Sequence, residues 1–344
     1  MNGNRFGRLF QVTTYGESHG DAMGVTVSGC PAGLELDESD VQAELDRRKP
    51  GQSMITTSRG EPDAVVLNSG TQDGYTTGTP IGMVIENKDA RSGKYEPFVT
   101  APRPSHGDFT YSAKFGTRNW GGGGRSSARE TVNWVAAGAI AKKILEREGV
   151  RVKAHVNQIG DIEAPPVTFE EMLEHTENNE VRCAHPQTAE EMRDRIDEYQ
   201  KAGDSIGGSI YFEARGVPRG LGAPRFDSIP ARLGQAMMAV PATTGFEFGL
   251  GQDVREWTGS NRNEDWEFSD RATRFPWATP TAGCRAVSPP ASRSTARPPG
   301  TPPRRSRKPR KRSTGRPVRK RRSKWSAATI PCCRRGRCRS WRRC

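Results

Sequence analysis

The stretch Gly121-Gly122-Gly123-Gly124-Arg125-Ser126-Ser127-Ala128-Arg129-Glu130 runs from four glycines into the start of a helix. From about residue 128 to 148, Val132, Val135, Ala136, Ala139, Ile140 and Ile144 recur at helical spacing and form one apolar stripe. Ser127 and Glu130, three apart at its start, have the spacing of a capping box. Glycines let backbone N–H groups approach a ligand closely, and a helix start adds unpaired donors and the positive end of the dipole. Arg125 and Arg129 add guanidinium forks suited to phosphate or carboxylate. No Gly-Lys-Ser/Thr follows, so this is no Walker loop, and the dinucleotide fingerprint does not fit either. The stretch reads as an anion-binding loop. The plainer reading is a flexible turn beside a solvated helix end.

Around this loop the pattern is mixed α and β. Short β-rich runs at 8–14, 24–29, 64–67, 81–86, 152–159 and 209–214 are bounded by Gly, Pro, Asn or Asp. Helices are predicted at 40–48, with Arg47 and Arg48 in the last turn, at 190–202 and at 229–239. For the second of these, Thr188 and Glu191 are expected to form the capping box. No repeat with a solenoid period is present.

The 344 residues allow one large domain or two ordinary ones, and the average charge of +13 hides two unlike pieces. All 40 acidic residues lie at or before Asp270 with 29 of the 53 basic ones, so residues 1–270 carry −11. Residues 271–344 hold the other 24 basic residues and no acid, a charge of +24. A body at 1–270 and a basic tail without ordered structure at 271–344 are expected, the tail having little aliphatic content for a core. Only Cys30 and Cys183 fall in the body, which points to a reducing compartment with no disulfide framework. No leader-like apolar region opens the chain and no run of about 18 apolar residues occurs, so a cytoplasmic protein without a membrane partner is expected. An acid-rich body would also suit a high-salt cytoplasm.

Two of the five histidines have accessible settings. His19 lies in Tyr15-Gly16-Glu17-Ser18-His19-Gly20 and His106 in Arg103-Pro104-Ser105-His106-Gly107-Asp108. An imidazole titrates near neutrality and can pass a proton to a leaving group. His155, on a strand, and His175 and His185, in polar surroundings, are read as structural. No histidine pair has metal-ligand spacing, so no metal site is expected. The cluster Arg47-Arg48-Lys49, with Arg59 beyond it, reads equally as an anion site or as helix-end charge. The Arg runs of the tail could serve a nucleic-acid-binding arm, though nucleic acid is not the expected partner.

Together these pieces resemble the chorismate synthase family. The matching segments are 16–20 (GESHG), 45–51 (LDRRKPG), 103–111 (RPSHGDFTY), 122–131 (GGGRSSARET), 136–143 (AAGAIAKK), 203–207 (GDSIG) and 216–226 (GVPRGLGAPRF), in order over some 260 residues. The resemblance implies an α+β fold, a β-α-β sandwich of antiparallel sheets surrounded by helices, assembled as a homotetramer. It implies a lyase that converts 5-enolpyruvylshikimate 3-phosphate to chorismate and phosphate by 1,4-anti elimination with reduced FMN. On this resemblance His19 protonates the departing phosphate and His106 lies by the flavin. Arg125, Ser126 and Ser127 hold FMN, with Pro241 and Ala242 at a further flavin-contacting position. Ser18, Arg48 and Arg129 bind the substrate, and Arg48 would also meet NADPH in a member that reduces its own flavin. Pro241 stands where the family usually has Asn. Met54 replaces an arginine associated with NADPH, so NADPH is expected only if the protein is bifunctional.

The family would continue past residue 270 with a further flavin segment and an Arg-His-Asp-Pro motif, and neither is written in this chain. Residues 327–344, AATIPCCRRGRCRSWRRC, are compatible with codons that, regrouped one nucleotide earlier, read GRHDPVLPPRAVPVVEAM. Residues 296–306, ARPPGTPPRRS, regroup likewise to GEATWHAPTSI. The expectation is a changed reading frame between residues 270 and 296. The alternative is an inactive enzyme-derived body whose tail binds nucleic acid.

Overall fold

The computed structural model describes residues 3–260, except 54, 57–59, 90–91 and 104–105, together with 283–286. Met54, Arg59 and the Arg and Cys runs of the tail lie outside the described residues. The chain divides into two units, Met1–Ser292 and Arg293–Cys344, and every element below belongs to the first.

The first half runs β1 (Arg5–Phe6), β2 (Gln11–Gly16), β3 (Ala22–Ser28), α1 (Glu38–Arg48), β4 (Val65–Ser69), β5 (Thr71–Gln72), β6 (Tyr75–Thr76) and β7 (Ile81–Glu86). A 3₁₀ segment Ser92–Phe98 and helix α2 (Asp108–Phe115) follow, then the glycine loop Gly121–Ser126, a 3₁₀ turn Ala128–Glu130 and α3 (Thr131–Arg147). The second half holds β8 (Arg151–Ile159), β9 (Ile162–Glu163), α4 (Phe169–His175), α5 (Pro186–Lys201), β10 (Gly208–Arg215), α6 (Ile229–Met237), β11 (Glu247–Phe248) and β12 (Gly283–Ala286).

These strands form two five-stranded antiparallel sheets, ordered β1-β2-β3-β7-β4 and β11-β12-β10-β8-β9, with β5-β6 as a small hairpin. The expected α+β sandwich of antiparallel sheets is what the chain forms. β12 lies beyond the boundary at 270 suggested by the charge shift and pairs Ile210↔Ala286 through Glu213↔Gly283 against β10.

Period-2 patterning builds the first sheet's inner face. Met23, Val25 and Val27 of β3 and Ile81, Met83 and Ile85 of β7 are fully buried. Val41 and Leu45 of α1 and Val132, Ala136, Ala139 and Ile140 of α3 close over them. Each large aliphatic side chain so buried contributes roughly 1.5–3 kcal/mol. On the second sheet, Cys183 and Met192 pack with Val156 and Ile159, and Phe169 packs with Met172 and Tyr211.

Two capping expectations are corrected. Ser127 does cap the 3₁₀ turn, accepting from the Arg129 N–H, but Glu130 does not reach back to close the box because Arg125 holds its carboxylate. Helix α5 starts four residues earlier than expected, with Pro186 in its first turn and His185 as N-cap accepting from the Thr188 N–H. Proline's fixed φ favours a helix start, and that outweighs the Thr188–Glu191 signal. Helices α2 and α4 add to the elements expected from the sequence pattern.

Candidate functional site

The glycine loop turns sharply because Gly122, Gly123 and Gly124 all have positive φ, of 60°, 83° and 53°. At Gly122 this freedom serves a close approach. A Cβ there would stand 2.6, 2.7 and 2.9 Å from Cδ2, Nε2 and Cε1 of His19. The imidazole therefore lies directly on the loop backbone. On another side it meets Tyr95 of the 3₁₀ segment, with ring centroids 5.0 Å apart and planes at 78°. Gly107, at the turn into α2, approaches Ser126 so closely that a Cβ would meet its Cβ at 3.1 Å. The His19 turn, the His106–Gly107 turn and the glycine loop thus converge. His106 itself is exposed and Ser18 is buried.

Arginines ring this point. Arg103 forks onto Asp108, Nε to Oδ2 at 2.9 Å and Nη2 to Oδ1 at 3.1 Å. The Arg103 guanidinium holds the buried Asp108 carboxyl down to about 2, well below its ordinary range. Arg118 lies 3.7 Å from the same carboxylate and also donates to the Phe98 carbonyl. Arg125 binds Glu130 at 2.6 and 2.8 Å, Thr14 Oγ1 at 2.8 Å and the Gly16 carbonyl at 3.2 Å. Its guanidinium therefore fastens the loop to β2 as well as facing the site. A cavity of about 50 Å³ is lined by Glu17, Asp108, Arg118, Asn119, Arg125 and Ser126, among others. A more open hollow of about 460 Å³ adjoins it, sharing Glu17, Arg118 and Arg125 and bounded by Tyr111 and Phe115.

Arg48 and Arg129 form a second group. Both hold Asp63, which is fully buried: Arg48 Nη1 reaches Oδ2 at 3.1 Å and Arg129 pairs with Oδ1. Arg48 also donates to Thr131 Oγ1 and to the Ala128 carbonyl, and Arg129 to Asn87 Oδ1 at 3.0 Å. Glu61, buried as well, accepts from the Lys88 and Asp89 N–H groups. This network ties the end of α1, the segment after β7 and the start of α3 together. Pro241 and Ala242 follow α6, Ala242 with φ of 65°, and neither lines the two cavities.

The donor set suits a phosphorylated, planar group such as reduced FMN. Arg118 Nη1 and Arg125 Nε are buried without a hydrogen-bond partner, and both side chains face the cavities. Among the described residues, no group of three or more His, Cys, Asp or Glu could hold a metal, and no helix is long and apolar enough to cross a membrane. His155, buried on β8 with Nδ1 against the Ala184 N–H, and His185, the α5 cap, have structural positions.

Sequence reasoning found His19 and the glycine loop but missed Asp63, Tyr95, Arg103, Asp108, Arg118 and Glu130. The signal lay inside the quoted segments, which contain Arg103, Asp108 and Glu130 without giving them these roles.

Comparison with known proteins shows the family. The family model described as chorismate synthase matches residues 10–283. The chorismate synthase of Haloquadratum walsbyi is 85% identical over 276 residues, covering 80% of this chain and 72% of that protein. That of Halorubrum lacusprofundi is 78% identical over 272 residues, covering 78% and 69%. A solved structure, titled as the crystal structure of chorismate synthase, superposes with a TM-score of 0.65 at 30% identity, covering 79% of this chain and 78% of that one.

Proposed function

Since the chain belongs to the chorismate synthase family and its function is that of this lyase, we propose that the elimination runs where His19 meets the glycine loop. The observation that carries this is the seat of the imidazole against Gly122, beside a cavity lined by Arg118 and Arg125. A departing phosphate needs a proton at its bridging oxygen and cations around its other oxygens. His19 supplies the first, and the guanidiniums with the loop N–H groups supply the second. Arg48, Arg129 and Ser18 belong to the substrate's anionic end, where Asp63 fixes both guanidiniums in place.

Reduced FMN, when bound, lends electron density to the allylic system as phosphate leaves. Arg125, Ser126 and Ser127 would hold it, with Arg118 added from the cavity lining and Pro241-Ala242 as a further contact. His106, next to the cavity-lining Gly107, would lie by the flavin. The reading includes 5-enolpyruvylshikimate 3-phosphate as substrate, a cytoplasmic homotetramer, and NADPH only if the protein is bifunctional.

It also includes a frame change in the tail that impairs the chain as written. Three points support this: acidic residues stop at Asp270, the family match stops at residue 283, and the tail is compatible with codons that regroup to the expected Arg-His-Asp-Pro motif. The alternative of a nucleic-acid-binding arm gains no support from the relatives. The test is anaerobic chorismate formation with reduced FMN by the frame-restored protein, by its His19→Ala variant and by the chain as written. Restored activity that depends on His19, with little in the written chain, is expected. Equal turnover by the written and restored chains would refute the frame reading, and full activity in His19→Ala would refute the acid.

A further inference from the structure

Tyr95, Arg103 and Asp108 form a chain of contacts that ends on His19. Asp108 is 2% exposed and takes three hydrogen bonds from Arg103, two from the guanidinium and one from the backbone N–H at 3.1 Å. Held in this way, the Arg103 guanidinium carbon lies 5.5 Å from the Tyr95 ring centroid and 5.3 Å from that of Phe98. Both distances are within cation–π range. Tyr95 and Phe98 are themselves 6.3 Å apart, and Arg118 ties the Phe98 carbonyl down. The ring so braced meets His19 edge to face at 5.0 Å, a favoured aromatic geometry. A second constraint comes from Gly122, where an added methyl group would stand within 3 Å of three imidazole atoms.

We infer that Tyr95 and Arg103, anchored by Asp108, are positioning residues that set the orientation of the His19 ring. A general acid must aim one N–H at the leaving oxygen, and an imidazole free to rotate spends much of its time misaimed. Here the loop backbone and the Tyr95 ring leave the imidazole a narrow slot. The functional meaning of the inference rests on the reading of His19 as the acid, whereas its test does not.

The test reads the His19 Cε1–H resonance in proton–carbon spectra of the full chain, assigned by its disappearance in His19→Gln. The Tyr95 ring current is expected to displace this resonance from the position of a free imidazole. Tyr95→Phe keeps the ring and is expected to keep the displacement, Tyr95→Leu to lose it, and Arg103→Gln to reduce it. His155 and His185 report whether the second sheet remains folded. If Tyr95→Leu does not fold, Arg103→Gln carries the same decision through the same resonance. A His19 signal unmoved in Tyr95→Leu and Arg103→Gln overturns the inference, and so does one lost equally in Tyr95→Phe. No turnover is required, so a failure here leaves the lyase reading standing and a failed activity assay leaves this inference standing.

Discussion

Asp63 sets one carboxylate between two guanidiniums at a position with no exposed surface. Removing its charge takes the close ion pair from Arg129, itself 3% exposed, and leaves it facing Glu61 at 4.0 Å. Breaking such a buried pair costs about 3–5 kcal/mol. Asp63→Asn is therefore expected to lower the denaturant midpoint markedly and, in the frame-restored enzyme, to raise KM for the phosphorylated substrate. An unchanged midpoint would show that Asn87 and Glu61 suffice to hold Arg129. Asp108 makes the pH prediction at this scale. Its carboxyl is lowered from 3.8 to about 2 in the folded state by hydrogen bonds from Arg103. A depressed carboxylate stabilises the fold above its unfolded pKa and loses that contribution as pH falls through the folded one. The stake is about 2 kcal/mol, lost between pH about 4 and about 2. The difference in unfolding free energy between wild type and Asp108→Asn, followed by denaturation at stepped pH, is expected to shrink over that window.

At the scale of elements, α1 shows what a short polar signal does. Asp37 accepts from the Ser39 and Asp40 N–H groups while Asp40 reaches back to the Asp37 N–H. Losing that box in Asp37→Ala is expected to cost about 1 kcal/mol, read as a lower midpoint of thermal unfolding. Elements whose signal is their own periodicity were legible in the sequence. Strand β7 has the predicted bounds, because Ile81, Met83 and Ile85 alternate with less buried neighbours between Pro80 and Asn87. Helix α3 follows its apolar stripe in the same way. Helix α2 was not legible, since its one buried residue is the charged Asp108 and it has no stripe to detect. The site divides along the same line. Small residues around His19 and the four glycines advertise an accessible loop, whereas Tyr95, Asp63 and Glu61 acquire their roles only through partners far away in sequence. The failed Ser127–Glu130 box has a nearer cause, since Arg125, five residues before Glu130, takes its carboxylate.

For the whole molecule, the first sheet with α1 and α3 has a closed core, while β10 and α6 bury little: Ser209 is the one buried residue of β10, and α6 has none. Completing the family's remaining length is expected to cover this half. Restoring the frame should thus raise the thermal midpoint as well as the activity, which calorimetry of the two chains would show. A frame-restored protein no more stable than the written one would mean that the second half stands without the missing segment. On the proposed frame change, two one-base events would have opposite reach. A length change near the end would rewrite everything after it yet leave the residues of the first sheet's core as they are. At codon 122 a substitution alters one residue, but glycine's four codons all begin with GG, so every single-base missense change there introduces a Cβ into the imidazole's place. In a library of point mutants selected for chorismate formation, that codon should therefore vary in its third base alone.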